Sequence, residues 1–243
     1  MEKFADIHAR AAGRKGGVVA LNSILPRPLS ARSLARKSDA ACLSMMSKCV
    51  FRAGFSWNVI DKKWPGFEEA FYGFRPAALV TLPAETWDAY LRDTRIVRSW
   101  QKIKTVYENA RFVLDTSATH GSFGKFLSGW PCSDQAGLMR YLKQHGARLG
   151  GNTGQYFLRF IGKDAFVLTA DVVLALQNAG VDISDNPVSK RDLARVQAAF
   201  NAWREESGLG YAQISKIAAC SCGVNHEIET MRRKMHDIYE VSG

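Results

Sequence analysis

The sequence of 243 residues lacks any run of roughly 18 apolar residues, the length that a membrane-spanning helix needs. Its first residues also lack the apolar segment of a secretory signal, so we expect no export. The five cysteines are odd in number and show no disulfide framework, which favours a reducing compartment. These absences predict a cytoplasmic protein with no membrane partner.

The sequence also lacks cysteine and histidine residues at the spacing of a zinc site. Cys220 and Cys222, followed by His226, come nearest to a metal motif, but Cys-x-Cys is not the usual zinc spacing and a fourth ligand is not evident. Ordinary residues at a helix end are the favoured interpretation, with a structural zinc as the alternative. We therefore predict no metal and no other cofactor.

Positive charge is what the sequence has in excess. Lysine and arginine number 33 against 23 acidic residues, which gives a net charge of +10 and a pI near 9.5. Hydrophobic residues make up 47% of the chain, so the charge belongs to a folded body, and it favours a polyanion as the partner. A surplus that serves only solubility is the alternative.

Helical periodicity dominates the chain, for example in an amphipathic pattern through residues 95–114 and in a helix that Ser38 is suited to cap. Strand candidates are few, and the best, residues 165–169, is short. We predict an all-α protein of about ten helices with short loops. Residues 1–36 are expected to form a basic arm that wraps the surface, with one short helix as the alternative, and residues 37–243 the helical domain.

A glycine-rich hairpin at residues 146–154 separates two of the predicted helices. Its two consecutive glycines allow close backbone approach, and the N-terminus of the next helix offers free N–H groups and a partial positive charge. Such an element is suited to contact DNA phosphates through the backbone, although a plain turn between helices is the alternative. The residues expected at DNA are Leu149, Gly150, Gly151, Asn152 and Thr153.

Three segments of the chain combine into a more specific pattern. Residues 53–76 read AGFSWNVIDKKWPGFEEAFYGFRP, residues 96–113 read IVRSWQKIKTVYENARFV, and residues 149–173 read LGGNTGQYFLRFIGKDAFVLTADVV. The first two resemble the core of the DNA-3-methyladenine glycosylase I family. The third resembles the hairpin and following helix of the helix-hairpin-helix DNA glycosylase superfamily.

The resemblance implies an enzyme that removes alkylated adenine from DNA, with two helical lobes and a base-binding cleft between them. Trp57 aligns with the aromatic residue that stacks on the flipped base, and a flat indole suits a cationic alkylated purine. Gly54 and Phe55 align with the segment that fills the gap left in the duplex, where Phe55 would be an apolar wedge. Core packing is the alternative for both aromatic side chains.

One position of the implied base pocket departs from the family. The family has a glutamate four residues before the alanine of its AG motif, where it hydrogen-bonds the bound base, and Cys49 stands there. A thiol is a poor donor and acceptor and is normally neutral. Either base selection differs or another carboxylate substitutes, with Asp61 and Glu68 as candidates from their nearness in sequence.

Positions that the resemblance assigns to catalysis and to zinc binding also differ. Asn152 replaces the lysine that bifunctional relatives use for a Schiff base, so lyase chemistry is not expected. Thr169 occupies the slot of the superfamily's catalytic aspartate, and Asp171 is our candidate for a carboxylate that stabilises the oxocarbenium ion. A helix N-terminal aspartate is the alternative for Asp171. Asp171 and Ala175 also stand where the family's zinc ligands would be.

We predict a monofunctional DNA glycosylase that hydrolyses the N-glycosidic bond of alkylated purines such as 3-methyladenine in base excision repair. Its partner would be double-stranded DNA with alkylated bases, and no obligate protein partner is evident. The lysines expected on a basic face are Lys62, Lys63, Lys102 and Lys104. The alternatives are a non-catalytic helix-hairpin-helix protein that binds DNA or recognises lesions, and a hydrolase for a nucleoside-like substrate.

Overall fold

The computed structural model describes residues 1–232, and all regular structure within them is helical. The prediction of an all-α protein is confirmed. Fourteen α-helices lie within residues 1–221: α1 (Phe4–Arg14), α2 (Val18–Asn22), α3 (Ala31–Ala35), α4 (Asp39–Arg52), α5 (Trp57–Ala70), α6 (Pro76–Val80), α7 (Ala84–Ala89), α8 (Trp100–His120), α9 (Phe123–Gly129), α10 (Gln135–His145), α11 (Gly151–Phe160), α12 (Ala170–Asn178), α13 (Lys190–Ser207) and α14 (Tyr211–Ser221).

The best strand candidate, residues 165–169, forms no strand, in keeping with the predicted all-α class. Side chains satisfy its backbone instead. The side-chain amide of Gln135 donates to the carbonyl of Phe166 at 2.8 Å and accepts from the N–H of Phe166 at 2.7 Å. The hydroxyl of Ser215 pairs with Val167 in the same way: it donates to the carbonyl at 3.2 Å and accepts from the N–H at 3.1 Å. An apolar segment with these partners stays buried without a neighbouring strand.

The chain divides into two compact units. Unit 1 contains Met1–Leu29, Pro131–Leu138 and the described chain from Leu158 onwards, while unit 2 contains Ser30–Trp130 and Met139–Phe157. This division differs from the predicted boundary at residue 37. The reason is that the first residues pack into unit 1.

Helix α1 is a packed element of unit 1. Phe4, Ile7 and Ala11 are buried on one side of it, and the helix lies against α14 and α13. The ring of Phe4 is 5.9 Å from that of Trp203 on α13. An apolar residue every three or four positions places these side chains on one face, so this segment adds to the core.

Hydrogen bonds from the end of α1 reinforce that packing. The Arg14 guanidinium donates to the carbonyls of Cys220, Cys222 and Gly223, at 3.0, 3.2 and 2.7 Å. The Lys15 ammonium donates at 2.7 Å to the side-chain oxygen of Asn225 and also to the next carbonyl. The last carbonyls of a helix have no partner within the helix, and Arg14 supplies donors at the C-terminal end of α14. Lys15 binds the segment that follows that helix.

Helices α4, α5 and α8 form the part of unit 2 that carries most candidate residues. Helix α4 begins after Ser38, whose hydroxyl accepts from the N–H of Ala41 at 3.1 Å, as its N-cap position predicts. It packs against α8 and α5. On α5, Trp64 stacks on Phe67 with ring centroids 4.9 Å apart. This aromatic core fixes the inner faces of α4 and α5.

No helix within residues 1–232 has the length and apolarity to cross a membrane. The same residues contain no group of three or more histidine, cysteine, aspartate or glutamate side chains that could hold a metal ion.

Candidate functional site

A short loop between α4 and α5 presents one of the predicted site residues. Gly54 has φ of 75°, a conformation that favours glycine, and it turns the chain sharply after α4. The next side chain, Phe55, is 44% exposed. A large apolar ring held outward at a tight turn has the placement that a wedge residue needs, and its insertion into DNA stays a prediction.

Lys102 of α8 contacts this loop through its ammonium group. Its ammonium lies 4.2 Å from the centre of the Phe55 ring and donates to the carbonyls of Phe51, at 3.1 Å, and of Ala53. The side chain is buried, so its predicted place on a basic face is wrong. Burial, and then the positive charge of Arg148, lowers the pKa of Lys102 to about 8.

The indole of Trp57 is flanked by two side chains. Tyr156 of α11 meets it edge to face, with ring centroids 5.2 Å apart and an interplanar angle of 89°. The guanidinium carbon of Arg52 lies 4.9 Å from the centre of a Trp57 ring, within the range of a cation–π contact. Trp57 is half-buried. Sequence reasoning missed Tyr156, because no local pattern relates it to Trp57.

Arg52 belongs to a buried ion cluster between α4 and α5. Its Nε and Nη2 atoms donate to Oδ1 of Asp61 at 3.1 and 2.6 Å. The Nζ atom of Lys48 lies 3.4 Å from the same oxygen. The two basic side chains are only 3% and 2% exposed, while Asp61 is 23% exposed. Asp61 is therefore the carboxylate that neutralises part of this charge.

Lys48 is unusual within the cluster because its buried ammonium makes no hydrogen bond of ordinary geometry within residues 1–232. Its contacts are the ion pair with Asp61 and a cation–π contact with Trp64, whose ring centre lies 5.3 Å from Nζ. Burial lowers the pKa of Lys48, and the Asp61 carboxylate opposes that shift. A buried ammonium without hydrogen bonds is costly and rare in proteins.

Cys49, which stands where the family's glutamate is expected, is buried. Burial raises the pKa of its thiol to about 12, although the charges of Arg52 and Lys48 act in the opposite direction. The thiol is therefore neutral at physiological pH. Of the two carboxylates considered as substitutes, Asp61 joins the ion cluster, whereas Glu68 is exposed.

The predicted hairpin is held to α8 by one buried side chain. The amide of Asn109 accepts from the N–H of Ala147 at 2.8 Å and donates to its carbonyl at 3.1 Å. Leu149 is buried, and its carbonyl would lie 2.2 Å from a Cβ at position 154, which is glycine. These contacts fix the path of the turn between α10 and α11.

The tip of the hairpin faces solvent. Gly151, which has φ of 57° and begins α11, is exposed, as is Asn152, while Gly150 and Thr153 are half-buried. Next to the tip, Arg148 is exposed and donates to the side chain of Gln101 at 2.8 Å. The start of α11 thus has open backbone and a nearby cation, as contact with phosphate would require. Its binding to DNA stays a prediction.

Asp171, the candidate catalytic carboxylate, lies in the first turn of α12 in unit 1. The hydroxyl of Thr169 caps this helix by accepting from the N–H of Val172 at 3.3 Å. The carbonyl of Asp171 accepts from the thiol of Cys222 at 3.1 Å. This environment accounts for Thr169 as a helix cap, and the catalytic role of Asp171 stays a prediction.

Comparison with known proteins identifies the class to which these features belong. The sequence model of the methyladenine glycosylase family matches residues 33–154, which is half of the chain and includes the Trp57 loop and the hairpin tip. The chain belongs to the methyladenine glycosylase family.

A curated relative and several solved structures are also similar to the chain. A DNA-3-methyladenine glycosylase of Haemophilus influenzae is 28% identical over 76 residues, which cover 31% of this chain and 41% of the relative. The chain thus matches less than half the length of that relative. The 3-methyladenine DNA glycosylase I of Staphylococcus aureus is 28% identical, with a TM-score of 0.48 over 58% of this chain and 84% of that one.

A third similar protein is a variant of 3-methyladenine DNA glycosylase I in complex with 3-methyladenine. It is 27% identical, with a TM-score of 0.47 over 57% of this chain and 81% of that one. The family assignment rests on the sequence match over residues 33–154.

Proposed function

We propose that this protein is a monofunctional DNA glycosylase that hydrolyses the N-glycosidic bond of alkylated purines, such as 3-methyladenine, in double-stranded DNA during base excision repair. The observation that carries the proposal is the family match over residues 33–154. That segment contains Phe55, Trp57, the ion cluster and residues 146–154 of the glycine hairpin.

The chemistry of the substrate fits these residues. An N3-alkylated adenine is a cationic and already weakened leaving group, so hydrolysis depends mainly on flipping the base, holding it and placing a water. In the proposal Trp57 stacks on the base, Phe55 fills the space left in the duplex, and the backbone of residues 150–153 holds phosphate. Asp171 is proposed to stabilise the oxocarbenium ion. With Asn152 at the position of the lyase lysine, no Schiff base forms.

Release of free bases from methylated duplex DNA, separated by chromatography, tests the proposal. We expect release by the wild type and a loss of about 10- to 100-fold in Trp57→Ala, because stacking on one base contributes about 1–3 kcal/mol. Trp100→Ala is the matched control, since Trp100 is exposed on the same unit, and it should retain activity. The DNA strand should stay intact until alkali is added.

A protein that binds DNA without cutting the glycosidic bond would give a different result. It would release no base, and its affinity for duplex DNA would fall steeply with salt concentration. That outcome would overturn the proposed activity and leave the DNA-binding alternative.

A further inference from the structure

Basic side chains cluster at the surface where the short helix α3 packs against α9. Arg32 on α3 and Arg36, the residue that ends this helix with helical backbone angles, are both exposed. Residues four positions apart share one face of a helix. Leu34 is buried on the opposite face, so the two arginine side chains lie together on the outer face of α3. Lys37, which is half-buried, follows directly.

Helix α9 adds a further lysine at this place. A Cβ at Gly124 would lie 2.6 Å from the carbonyl oxygen of Lys37 and 2.8 Å from that of Leu34. The glycine therefore lets the backbones of α3 and α9 come into direct contact. Lys125, the next residue of α9, is exposed, and all of these residues belong to unit 2. The α3–α9 basic surface consists of Arg32, Arg36, Lys37 and Lys125.

Carboxylates of the protein do not neutralise this surface. Residues 7–38 contain no aspartate or glutamate. Asp39, the next acidic residue, accepts through Oδ1 from the N–H of Phe123 at 2.8 Å, at the start of α9. None of the four cations of the α3–α9 basic surface forms an ion pair with a carboxylate of residues 1–232. Even with Asp39 included, positive charge is in clear excess.

Several arginines elsewhere in the protein do have acidic partners. Arg191 and Arg195 contact Asp182, and Arg204 contacts Asp164. By contrast, like charges one turn apart on α3 repel each other and destabilise the helix. A bound polyanion would remove that repulsion, and arginine suits phosphate because its guanidinium can donate two parallel hydrogen bonds to it. Duplex DNA has one negative charge per about 1.7 Å of its axis, so several neighbouring cations can be engaged at once.

We infer that the α3–α9 basic surface binds the phosphate backbone of duplex DNA, as a contact additional to the hairpin at residues 146–154. The inference rests on the proposed glycosylase function, which makes duplex DNA the partner. Phosphate contacts supply affinity and orientation without base selection. The surface therefore strengthens binding to undamaged and damaged duplexes alike.

The salt dependence of DNA binding tests the inference. A triple variant with Arg32→Gln, Arg36→Gln and Lys125→Gln removes the three exposed charges of the surface. It is titrated with an undamaged duplex of mixed sequence over a range of salt concentrations. Each phosphate contact contributes about 0.9 to the slope of log affinity against log salt concentration. We therefore expect the slope to be shallower than that of the wild type by about 2–3, and by about 1 in Arg32→Gln alone.

A matched control separates local contacts from the effect of net charge. Lys3→Gln, Lys190→Gln and Arg191→Gln together remove the same charge from exposed residues of unit 1, and this variant should keep the wild-type slope. An equal change of slope in the control and the triple variant would overturn the inference. A wild-type slope in the triple variant would also overturn it, even with a lowered free energy of unfolding, because the cations would then act only on the helix.

Base release from methylated duplex DNA by the wild type is measured alongside. Base release together with an unchanged slope in the triple variant would overturn the inference and leave the proposed function intact. A shallower slope without base release by the wild type would overturn the proposed function and leave the α3–α9 basic surface. If the triple variant does not fold, the slope of Arg32→Gln decides in the same way.

Discussion

At the scale of single residues, buried cations organise the candidate site. Lys102 is an example. Its ammonium donates hydrogen bonds to the carbonyls of Phe51 and Ala53 at the end of α4, and it contacts the ring of Phe55. A helix end leaves carbonyls without partners, and a buried donor there stabilises one conformation of the following turn. The position of Phe55 thus depends on a residue distant from it along the chain.

Lys102 should give the protein a specific pH dependence. Its folded-state pKa of about 8 is below the ordinary lysine value of 10.5. Between those values Lys102 is protonated in the unfolded chain and mostly neutral in the folded protein. The free energy of unfolding that Lys102 contributes therefore rises with pH over this interval, and the contribution is lost as the pH falls through about 8. As the pH rises through that interval, we expect the free energy of unfolding of the wild type to increase relative to that of Lys102→Met.

Urea unfolding of both proteins near neutral pH and at about pH 10 measures the difference. Lys104→Met is the control, because Lys104 is exposed on the same helix. The difference in unfolding free energy between the wild type and this variant should be nearly the same at both pH values. A wild-type advantage that is independent of pH would contradict the lowered pKa.

At the scale of elements, the hairpin is defined by close backbone packing. A Cβ at position 154 would lie 2.2 Å from the carbonyl oxygen of Leu149, which cannot move without displacing the turn. The bonds from Asn109 hold the other side of the same turn. The glycine therefore sets the geometry with which α11 begins.

Gly154→Ala should lower the free energy of unfolding by about 1–3 kcal/mol, the usual cost of overpacking, and should weaken binding to duplex DNA. Gly129→Ala is the matched control. Gly129, like Gly154, is a helical residue of unit 2, but a Cβ there would meet nothing within 4 Å, so this change should be neutral or slightly stabilising. Denaturant unfolding and DNA titration give both quantities, and equal behaviour of the two variants would contradict the packing argument.

At the scale of the whole molecule, the N-terminal segment contributes to the body of unit 1. Helix α1 buries apolar side chains against α13 and α14, and Arg14 and Lys15 bind carbonyls near residues 220–226. A surface arm would contribute little to stability, because exposed side chains lose little water on folding. A packed segment and a surface arm therefore predict different losses of unfolding free energy when an apolar side chain of residues 1–36 is removed.

Phe4→Ala should cost about 3–5 kcal/mol of unfolding free energy, as expected for a fully buried phenylalanine. Val19→Ala removes an apolar side chain that is 87% exposed on α2, and it should change stability by less than about 0.5 kcal/mol. Thermal unfolding of the three proteins makes the comparison. A Phe4→Ala protein as stable as Val19→Ala would favour the surface arm.

Several features of this protein follow from short stretches of sequence. The helical class, the cap at Ser38 and the turn around Gly150 depend on periodicity, side-chain chemistry and backbone freedom within a few residues. The same local evidence was insufficient for residues 165–169, since whether a buried apolar segment forms a strand depends on which partners reach its backbone. Here those partners are Gln135 and Ser215.

The sequence by itself determined that the chain is helical, basic and similar to methyladenine glycosylases, because composition, periodicity and motif spacing are properties of the chain alone. Only the tertiary structure decided the surroundings of Trp57. Arg52, Lys48 and Asp61 are brought together by the packing of α4 on α5, and Tyr156 comes from a helix distant in sequence. Burial and pairing of charges depend on such long-range contacts, which no short stretch of sequence contains.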